Sequence, residues 1–450
     1  MRLTSWGKYP WVDTTLESPR TETAAIGLLD GASSLIGRGL GRSYGDSALN
    51  RSVVVSCLKL DAMGSFDETT GILVAESGVT LEEIIDAFLP RGWFRPVTPG
   101  TKFVTLGGAV ASDVHGKNHH EAGSFAGHVP WFDLWTPAQG IVRCSPTENE
   151  ELFHATTGGH GLTGLITRVA LRMVRVPSAF ISQKTVKAAS LAHIMEAFEE
   201  YASLPFSVAW IDCLQKGADL GRSIFMGGSF ASPQDLPFEW QAEPFVPNSP
   251  RALKIPLDFP SFALNTLSVK AFNAQYYAKA PKGVSGSAVS YNTFFYPLDS
   301  IREWNRIYGK RGFTQYQFVI PKQAGPEGLH KILHAIAESG QGSFLAVLKL
   351  FGKQPKYAAN ISFPVEGYTL ALDFPITKKL FPLLNSLDSL VLEYGGRHYL
   401  TKDSRLSGSV VKQSYGSALE RFRDLKNRID PEGVFSSLQS DRLGLFQKKS

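Results

Sequence analysis

Three glycine-rich segments carry the residue types best suited to chemistry in this 450-residue chain. Residues 36–46 read IGRGLGRSYGD, residues 98–120 read TPGTKFVTLGGAVASDVHGKNHH, and residues 156–164 read TTGGHGLTG. Closely spaced glycines let backbone N–H groups surround a pyrophosphate, because no Cβ atom intervenes. Three such segments in one region of the chain therefore predict a pocket for a flavin dinucleotide.

Two other kinds of site were weighed for these segments. A Rossmann loop requires a helix directly after the glycines, and the turn-like residues 43–50 disfavour one. A plain glycine-rich turn remains the structural alternative for the first segment. His115 and His119 are four residues apart, but a metal site at that spacing needs a helix, which Gly116 and Asn118 disfavour. We therefore predict no metal site and assign the histidines to cofactor, substrate or structural contacts.

The composition is that of a globular protein, with 43% hydrophobic and 19% charged residues. The net charge of +5 is spread along the chain without a run of Lys and Arg, which argues against a nucleic-acid partner. Cys57, Cys144 and Cys213 lie far apart, and we predict three buried, unpaired thiols. No signal peptide and no apolar run of about 18 residues is found, so we expect a soluble or peripherally attached protein.

Hydrophobic periodicity predicts the elements that position the glycine-rich segments. Strands are predicted at residues 53–56, 71–76, 165–174, 208–212, 315–320, 344–351 and 369–374. Helices are predicted at residues 80–89, 191–198, 328–338 and 378–394. The order of elements from residue 315 onward predicts an antiparallel sheet with helices on one face, in an α+β protein.

Residues 230–290 are rich in proline and are predicted to form a long irregular excursion. Apolar and basic residues alternate within it: Phe259, Phe262, Leu264 and Leu267, with Lys254, Lys270, Lys279 and Lys282. A loop of this composition suits an anionic membrane surface. A poorly packed surface loop is an equal alternative.

Nine short stretches, spread over nearly the whole chain, resemble those of a known protein family. They are GRGLGRSYGD (37–46), PGT (99–101), HGKNHH (115–120), AGSF (122–125), AWID (209–212), EWNR (303–306), QYQFVIP (315–321), LKLFG (348–352) and YLTKDSR (399–405). In this order they resemble the decaprenylphosphoryl-β-D-ribose 2′-oxidase family of the vanillyl-alcohol oxidase superfamily. Such an ordered set is far more specific than any single glycine motif.

The resemblance implies a PCMH-type FAD-binding domain of two subdomains with an inserted antiparallel-sheet substrate domain. We place the FAD-binding domain at residues 1–178, the substrate domain at 179–396, and a segment completing the FAD-binding domain at 397–450.

The activity implied is FAD-dependent oxidation of the 2′-hydroxyl of a polyprenyl-phosphoryl-β-D-ribose to the 2-keto sugar. A short-chain reductase partner then acts on the keto product, which completes epimerisation to an arabinose donor for envelope or surface glycans. The implied location is peripheral, on the cytoplasmic or periplasmic face of the inner membrane.

The resemblance also implies the site residues. Those expected to bind FAD are Gly37, Arg38, Gly39, Leu40, Gly41, Arg42, Ser43, Pro99, Gly100, Thr101, Gly107, Gly108, Ser112, His115, Gly116, Asn118, Gly161, Ile166 and Tyr399. Those expected to bind the sugar and phosphate are Tyr44, Lys117, Trp210, Gln315, Gln317 and Lys349.

Lys402 and His115 are the predicted catalytic residues. Oxidation of an alcohol requires that the hydroxyl proton leaves as the hydride leaves carbon, and a desolvated lysine can accept that proton. Two alternatives for Lys402 are an anchor near the flavin and a solvated loop lysine paired with Asp403.

Three positions depart from the family. Arg42 stands where many superfamily members attach FAD through a histidine, so we predict noncovalent FAD. Ala371 and Thr369 stand where mycobacterial members carry cysteine and asparagine, which leaves the pocket shape and the exact carrier open. A soluble sugar-alcohol or aldonolactone oxidase is the enzymatic alternative. A flavin-binding protein without catalysis is the other, and the presence of Lys402 and His115 disfavours it.

Overall fold

The computed structural model describes residues 1–29, 31–247, 253–260, 263–354 and 360–446. Antiparallel sheets and helices occur together in these residues, which confirms the predicted α+β class. Phe262, part of the apolar pattern predicted to contact a membrane, lies outside the described residues. Within the described residues, no helix combines the length and apolar character that crossing a bilayer needs.

The first 175 residues form four small sheets with short helices between the strands. The strands are β1 (Arg2–Thr4), β2 (Trp11–Asp13), β3 (Thr15–Glu17), β4 (Leu35–Arg38), β5 (Val53–Ser56), β6 (Met63–Asp67), β7 (Ile72–Glu76), β8 (Trp93–Phe94), β9 (Trp131–Thr136), β10 (Gly140–Cys144), β11 (Leu165–Arg172) and β12 (Val174–Arg175). The helices are α1 (Glu22–Leu29), α2 (Leu81–Phe88), α3 (Leu106–Ala111), α4 (His119–Ala122) and α5 (Glu150–Thr156).

Two of these sheets carry the glycine-rich segments. Strands β3, β5 and β4 form a parallel sheet, and the first segment leaves the end of β4. Strands β10, β9, β11, β7 and β6 form an antiparallel sheet, and the third segment leads into β11. No helix follows the first segment at residues 43–50, as the sequence predicted.

Local sequence determines the start of helix α2. The Thr80 side chain accepts a hydrogen bond from Glu83 N, and the Glu83 carboxylate accepts one from Thr80 N, which satisfies two amide groups at the helix start. The predicted apolar face is buried, with Leu81, Ile84 and Phe88 inside. The predicted helix is thereby confirmed.

The remaining elements are built around one large sheet. The strands are β13 (Phe180–Ala188), β14 (Phe206–Ile211), β15 (Ser223–Phe230), β16 (Leu253–Lys254), β17 (Val284–Ser290), β18 (Ile301–Arg302), β19 (Phe313–Pro321), β20 (Ala346–Phe351), β21 (Gly367–Pro375) and β22 (Arg397–His398). The helices are α6 (Leu191–Glu200), α7 (Phe238–Gln241), α8 (Thr266–Lys279), α9 (Tyr291–Phe295), α10 (Gly325–Ser339), α11 (Leu380–Glu393), α12 (Gly408–Tyr415), α13 (Ser417–Ile429) and α14 (Leu438–Leu443). Eight strands pair antiparallel in the order β17-β13-β15-β14-β20-β21-β19-β22.

The two faces of this eight-stranded sheet differ, because successive residues of a strand point to opposite sides. On one face Phe318, Leu348 and Leu370 belong to an apolar core shared with helices α6, α10 and α11. The opposite face, which we call the polar face, carries Gln315, Gln317 and Lys349 among apolar side chains such as Trp210 and Val347. The sheet therefore separates an apolar core from a face of mixed polarity.

The excursion predicted at residues 230–290 is more ordered than the sequence suggested. It contains helix α8, which begins where the Asn265 side chain accepts hydrogen bonds from Leu267 N and Ser268 N. Only Val269 and Asn273 of this helix are buried, so its sequence lacks a continuous apolar stripe. Strand β17 also lies in this region, where no strand was predicted.

Two smaller expectations have clear outcomes. The strand predicted at residues 165–174 ends at Arg172, and β12 is a separate strand paired with β8. Cys57, Cys144 and Cys213 are buried and unpaired, as predicted.

A charged triad joins the C-terminal segment to the first glycine-rich segment. The Arg442 guanidinium donates to Asp46 at 2.7 and 3.1 Å and to Asp403 at 2.9 Å. The two carboxylates are almost fully buried, whereas a quarter of the Arg442 side chain is exposed. Asp403 also accepts hydrogen bonds from the backbone of Arg405 and Leu406, which fixes the turn that follows Lys402.

The triad yields a stability prediction. Replacing Arg442 with methionine leaves two buried carboxylates unpaired, and we expect it to lower the free energy of unfolding by about 3 kcal/mol. Urea denaturation followed by circular dichroism measures this change. The control is Arg428→Met, whose ion pair with Glu151 is largely exposed and should contribute less than about 1 kcal/mol. Equal effects of the two substitutions would contradict the role of the triad.

Candidate functional site

A cavity of about 340 Å³ lies between the glycine-rich segments and the polar face of the eight-stranded sheet. Most of the predicted site residues line it: Gly37, Gly39, Leu40, Gly41, Arg42, Ser43, Tyr44, Pro99, Gly100, Thr101, Gly108, Ser112, His115, Lys117, Gly161, Trp210, Gln315, Gln317, Lys349, Tyr399 and Lys402. Folding therefore brings together residues that are spread from position 37 to position 402.

Five predicted cofactor residues do not line the cavity: Arg38, Gly107, Gly116, Asn118 and Ile166. Arg38 donates to the carbonyl oxygens of Thr4 and Ala48, and so lies behind the first glycine-rich segment. The Asn118 amide donates to Pro96 O at 2.6 Å. These two residues hold the walls of the cavity from behind.

The side of the cavity formed by the three glycine-rich segments, which we call the glycine-rich wall, fits a flavin dinucleotide. A Cβ atom at Gly39 would lie 2.2 Å from Thr105 Oγ1, so the backbone packs directly on the residue that caps helix α3. Gly41 has a φ of +65°, which disfavours any other residue. At Gly100 a Cβ atom would meet nothing within 4 Å. The wall thus presents bare backbone to the cavity, as a pyrophosphate or a flat ring requires.

Lys402 reaches the cavity from the turn that precedes the charged triad. Its Nζ lies 3.8 Å from the centroid of the Tyr44 ring, in cation–π geometry. Burial lowers the pKa of Lys402 well below the value of a free lysine, while the Asp373 carboxylate opposes that shift. The alternative of a solvated lysine paired with Asp403 is wrong, because Lys402 lines the cavity and Asp403 binds Arg442.

His115 lies at the centre of a buried network. Lys349 Nζ is 3.5 Å from His115 Nδ1, and the side-chain amide of Gln317 is 3.1 Å from His115 Nε2. Burial, followed by the charge of Lys349, lowers the pKa of His115 well below its usual value, so the ring is neutral at physiological pH. The Gln317 atom that faces His115 is the amide nitrogen, which donates, so Nε2 of the neutral ring accepts this hydrogen bond.

Two more lysines contribute positive charge to the cavity. Burial lowers the pKa of Lys117 to about 7, with a further contribution from Lys349, and lowers the pKa of Lys349 to about 8. Lys117 Nζ donates to the carbonyl oxygen of Phe294 and lies 4.5 Å from the centroid of that ring. An anion in the cavity would therefore meet several cationic groups in a region of low dielectric constant.

Aromatic residues hold the other polar groups of the wall in place. The Arg42 guanidinium stacks 3.9 Å above the Trp6 ring. Tyr399 OH donates to Ser112 O at 2.8 Å, and its ring stacks on Phe363 with centroids 4.8 Å apart. Arg42 and Tyr399 thus have little freedom to move when a ligand binds.

The sequence analysis missed several residues of the site. Trp6, His160 and Asp299 line the cavity, and the side chain of Asp373 lies next to it. Asp373 carried a signal, because it is a lone charged residue within the apolar run of strand β21. His160 also carried one, as the single ionisable residue among the glycines of the third segment.

Known proteins resemble this chain in part and as a whole. Residues 30–145 match a family model described as an FAD binding domain. Over 455 aligned residues the chain is 37% identical to decaprenylphosphoryl-beta-D-ribose oxidase of Mycolicibacterium smegmatis, covering 99% of this chain and 98% of that protein. An uncharacterised protein of Streptomyces coelicolor is 32% identical over 82% of this chain and all of its own length. Cytokinin dehydrogenase 8 of Oryza sativa subsp. indica is 29% identical over 37% of this chain and 31% of its own.

The predictions of FAD as cofactor and of an FAD-dependent oxidoreductase are thereby confirmed. The matched residues 30–145 contain the first two glycine-rich segments. The family match and the geometry of the glycine-rich wall therefore point to the same cofactor.

The tight packing of Gly39 yields a prediction for cofactor binding. Gly39→Val must push the first glycine-rich segment away from Thr105, and we expect FAD affinity to fall by at least about tenfold. Flavin fluorescence during titration of the apoprotein with FAD measures the affinity. Gly27→Ala is the matched control, because its Cβ atom would meet nothing within 4 Å. Unchanged affinity in Gly39→Val would contradict the assignment of this wall to FAD.

Proposed function

The chain belongs to the decaprenylphosphoryl-beta-D-ribose oxidase family, and we propose from this that it oxidises the 2′-hydroxyl of a polyprenyl-phosphoryl-β-D-ribose. The observation that supports this substrate most directly is the polar face of the sheet. Gln315, Gln317 and Lys349 lie on this face and line one cavity with Lys117. Amide groups suit sugar hydroxyls, and cationic groups suit a phosphate.

In this proposal FAD is held noncovalently by the glycine-rich wall, together with His115 and Tyr399. When bound, it accepts the hydride that leaves the sugar carbon. Arg42 supports noncovalent binding, because a guanidinium stacked on Trp6 fills the position where many superfamily members carry the attachment histidine.

The proposed division into residues 1–178, 179–396 and 397–450 is supported by the cores. Side chains from residues 36–173 share one apolar cluster with side chains from residues 400–445. Most helices and strands between them form a second cluster. A third cluster crosses the boundary near residue 178, where Phe94 packs with Phe180 and Phe295. Strand β22, at residues 397–398, pairs with β19, so the sheet continues just past the proposed boundary.

Lys402 is the proposed base. Removal of the hydroxyl proton breaks an O–H bond and forms an N–H bond on a neutral amine, so the base must be unprotonated beforehand. Because burial lowers the pKa of Lys402, its neutral fraction rises as pH increases through the neutral range. His115, which is neutral and fixed by Lys349, would orient the reacting hydroxyl.

A membrane surface is the proposed source of the lipid-linked substrate. Five apolar side chains near helix α8 are exposed: Leu253, Leu257, Phe259, Leu267 and Phe272. Lys254, Lys270, Lys279 and Lys282 are exposed around them. Tyr276 of the same helix lines the cavity, so this helix connects the exposed apolar surface to the site. A peripheral position on the inner membrane would let the sugar enter while the lipid stays in the bilayer.

In the implied pathway, the keto product is reduced to an alcohol by a second enzyme. Return of the oxidised carbon to an alcohol needs a hydride donor, so we propose a short-chain reductase as the partner that consumes the product. The resulting arabinose donor would serve envelope or surface glycans.

Anaerobic visible absorbance tests the proposed substrate. Addition of a polyprenyl-phosphoryl ribose should bleach the flavin band of the holoenzyme, whereas free alditols and aldonolactones should not. Lys402→Ala should slow the bleaching by at least about a hundredfold, as removal of a general base does.

Three other outcomes of this experiment would overturn the assignments. Bleaching by free alditols or lactones would make the protein a soluble sugar-alcohol or aldonolactone oxidase. An unchanged rate in Lys402→Ala would remove Lys402 as the base. Absence of bleaching with every substrate would favour a flavin-binding protein without catalysis.

Vesicle sedimentation tests the proposed membrane surface. Vesicles of phosphatidylcholine with phosphatidylglycerol should bind the wild-type protein. The triple substitution Leu257→Gln, Phe259→Gln and Leu267→Gln should weaken binding by at least about tenfold, because three apolar side chains lose their favourable burial.

The matched control replaces three exposed apolar residues of the FAD-binding region, Met63, Ile141 and Val174, with glutamine. It changes the net charge no more than the test variant does, and it should leave vesicle binding unchanged. Equal binding by the wild type and both triple variants would contradict the membrane surface without affecting the proposed chemistry.

A further inference from the structure

Asp373 is a buried carboxylate beside the cavity to which no function has yet been assigned. It lies on strand β21 directly opposite Gln315 of β19, two residues after Ala371, which lines the cavity. By the alternation of the strand, Asp373 points to this polar face of the sheet. Its exposed fraction is 0%.

The carboxylate of Asp373 is only partly satisfied. Gln315 Nε2 donates to Oδ1 at 2.6 Å, whereas Oδ2 has no hydrogen-bond partner in the part of the chain that the structure describes. A buried carboxylate with an unpaired oxygen is costly unless a positive charge offsets it. Burial accordingly raises the pKa of Asp373, while Gln315 and Lys402 lower it.

Lys402 is the cation that acts on this carboxylate. Each of the two groups shifts the pKa of the other toward the charged form, against the effect of burial. No ion pair joins them among the described residues, so the attraction acts across a gap. The Lys402 ammonium lies 3.8 Å from the centroid of the Tyr44 ring, and Gln315, which donates to Asp373, lines the same cavity as Lys402 and Tyr44.

The other ionisable groups around the pair are Tyr44, Tyr308, Lys349, His115, Asp299 and Arg42. Burial raises the pKa of both tyrosines well above their usual value, so they stay neutral at physiological pH. Lys349 lowers the pKa of Lys402, which is the opposite of the effect of Asp373. Among these groups, Asp373 is the carboxylate that favours the Lys402 ammonium.

We propose that Asp373 is a positioning residue that acts through Lys402, drawing the amine to the sheet side of the cavity and setting how readily it takes a proton. When the hydroxyl O–H bond breaks and an N–H bond forms on Lys402, the Asp373 carboxylate stabilises the new ammonium. The catalytic step rests on the proposed function, whereas the electrostatic link between the two side chains does not.

A pH titration of the visible spectrum of the holoenzyme, without substrate, tests the link. The flavin absorbance responds to charges in its cavity, so ionisation of the pair should give a transition between about pH 5 and pH 9. Asp373→Asn removes the carboxylate that favours the ammonium, so the midpoint should move to lower pH by about one unit or more. Because Lys117 and Lys349 also titrate in this range, Lys402→Met should remove one component of the transition, and adding Asp373→Asn to that variant should shift nothing further.

Three further variants separate this link from a general structural effect. Asp373→Glu keeps the charge and should restore the midpoint toward that of the wild type. Gln315→Met removes the hydrogen bond that favours the ionised carboxylate, and it should shift the midpoint in the same direction as Asp373→Asn. If Asp373→Asn does not bind FAD, the Gln315→Met variant tests the link in its place. Asp212→Asn alters an equally buried aspartate, paired with Arg222, and should leave the midpoint unchanged.

A wild-type enzyme without a transition, a Lys402→Met variant whose transition is identical to that of the wild type, or unshifted midpoints in Asp373→Asn and Gln315→Met would overturn the proposal. The titration requires only bound FAD. A failure to oxidise the lipid-linked ribose would therefore refute the proposed function while leaving this result to stand independently.

Discussion

The site depends on one buried ionic interaction, between Arg442 and the carboxylates of Asp46 and Asp403. It joins the C-terminal segment to the first glycine-rich segment at the point where Gly45 passes the backbone of Asp403. A Cβ atom at Gly45 would lie 1.7 Å from the Asp403 carbonyl oxygen, so only glycine allows this approach. Tyr44 N then donates to Thr401 O, and Lys402 is left above the Tyr44 ring. The position of the proposed base therefore follows from packing far along the chain.

The buried lysines determine the charge of the cavity. Three buried lysines surround the cavity: Lys117, Lys349 and Lys402. Burial disfavours their charged forms and therefore lowers the pKa of each. An anionic ligand reverses this balance, because it stabilises the ammonium groups that burial destabilises. A cavity of this kind gains more from binding a phosphate or a reduced flavin than a solvated site with the same residues would.

Much of this arrangement is visible in the sequence where the signal is local. The helix at residues 80–89 and the strand at residues 315–320 depend on side chains a few positions apart, and both were predicted correctly. Helix α8 was missed because its exposed side, including Leu267 and Phe272, carries apolar residues and so obscures the amphipathic pattern. The link that we propose between Asp373 and Lys402 depends on strand register and on the triad, and neither is encoded in the spacing of those two residues.

The polar face of the sheet shows why a carboxylate belongs in a cationic site. Without Asp373, burial and the charge of Lys349 would both lower the pKa of Lys402, and its ammonium would be a poor product of proton transfer. With Asp373 the shift is partly reversed, so the amine can exist unprotonated before the reaction and hold the proton after it. General-base catalysis is most effective when both states are accessible at the working pH. Gln315 and Asp373 are directly paired across neighbouring strands, so the register of the sheet affects the chemistry of the site.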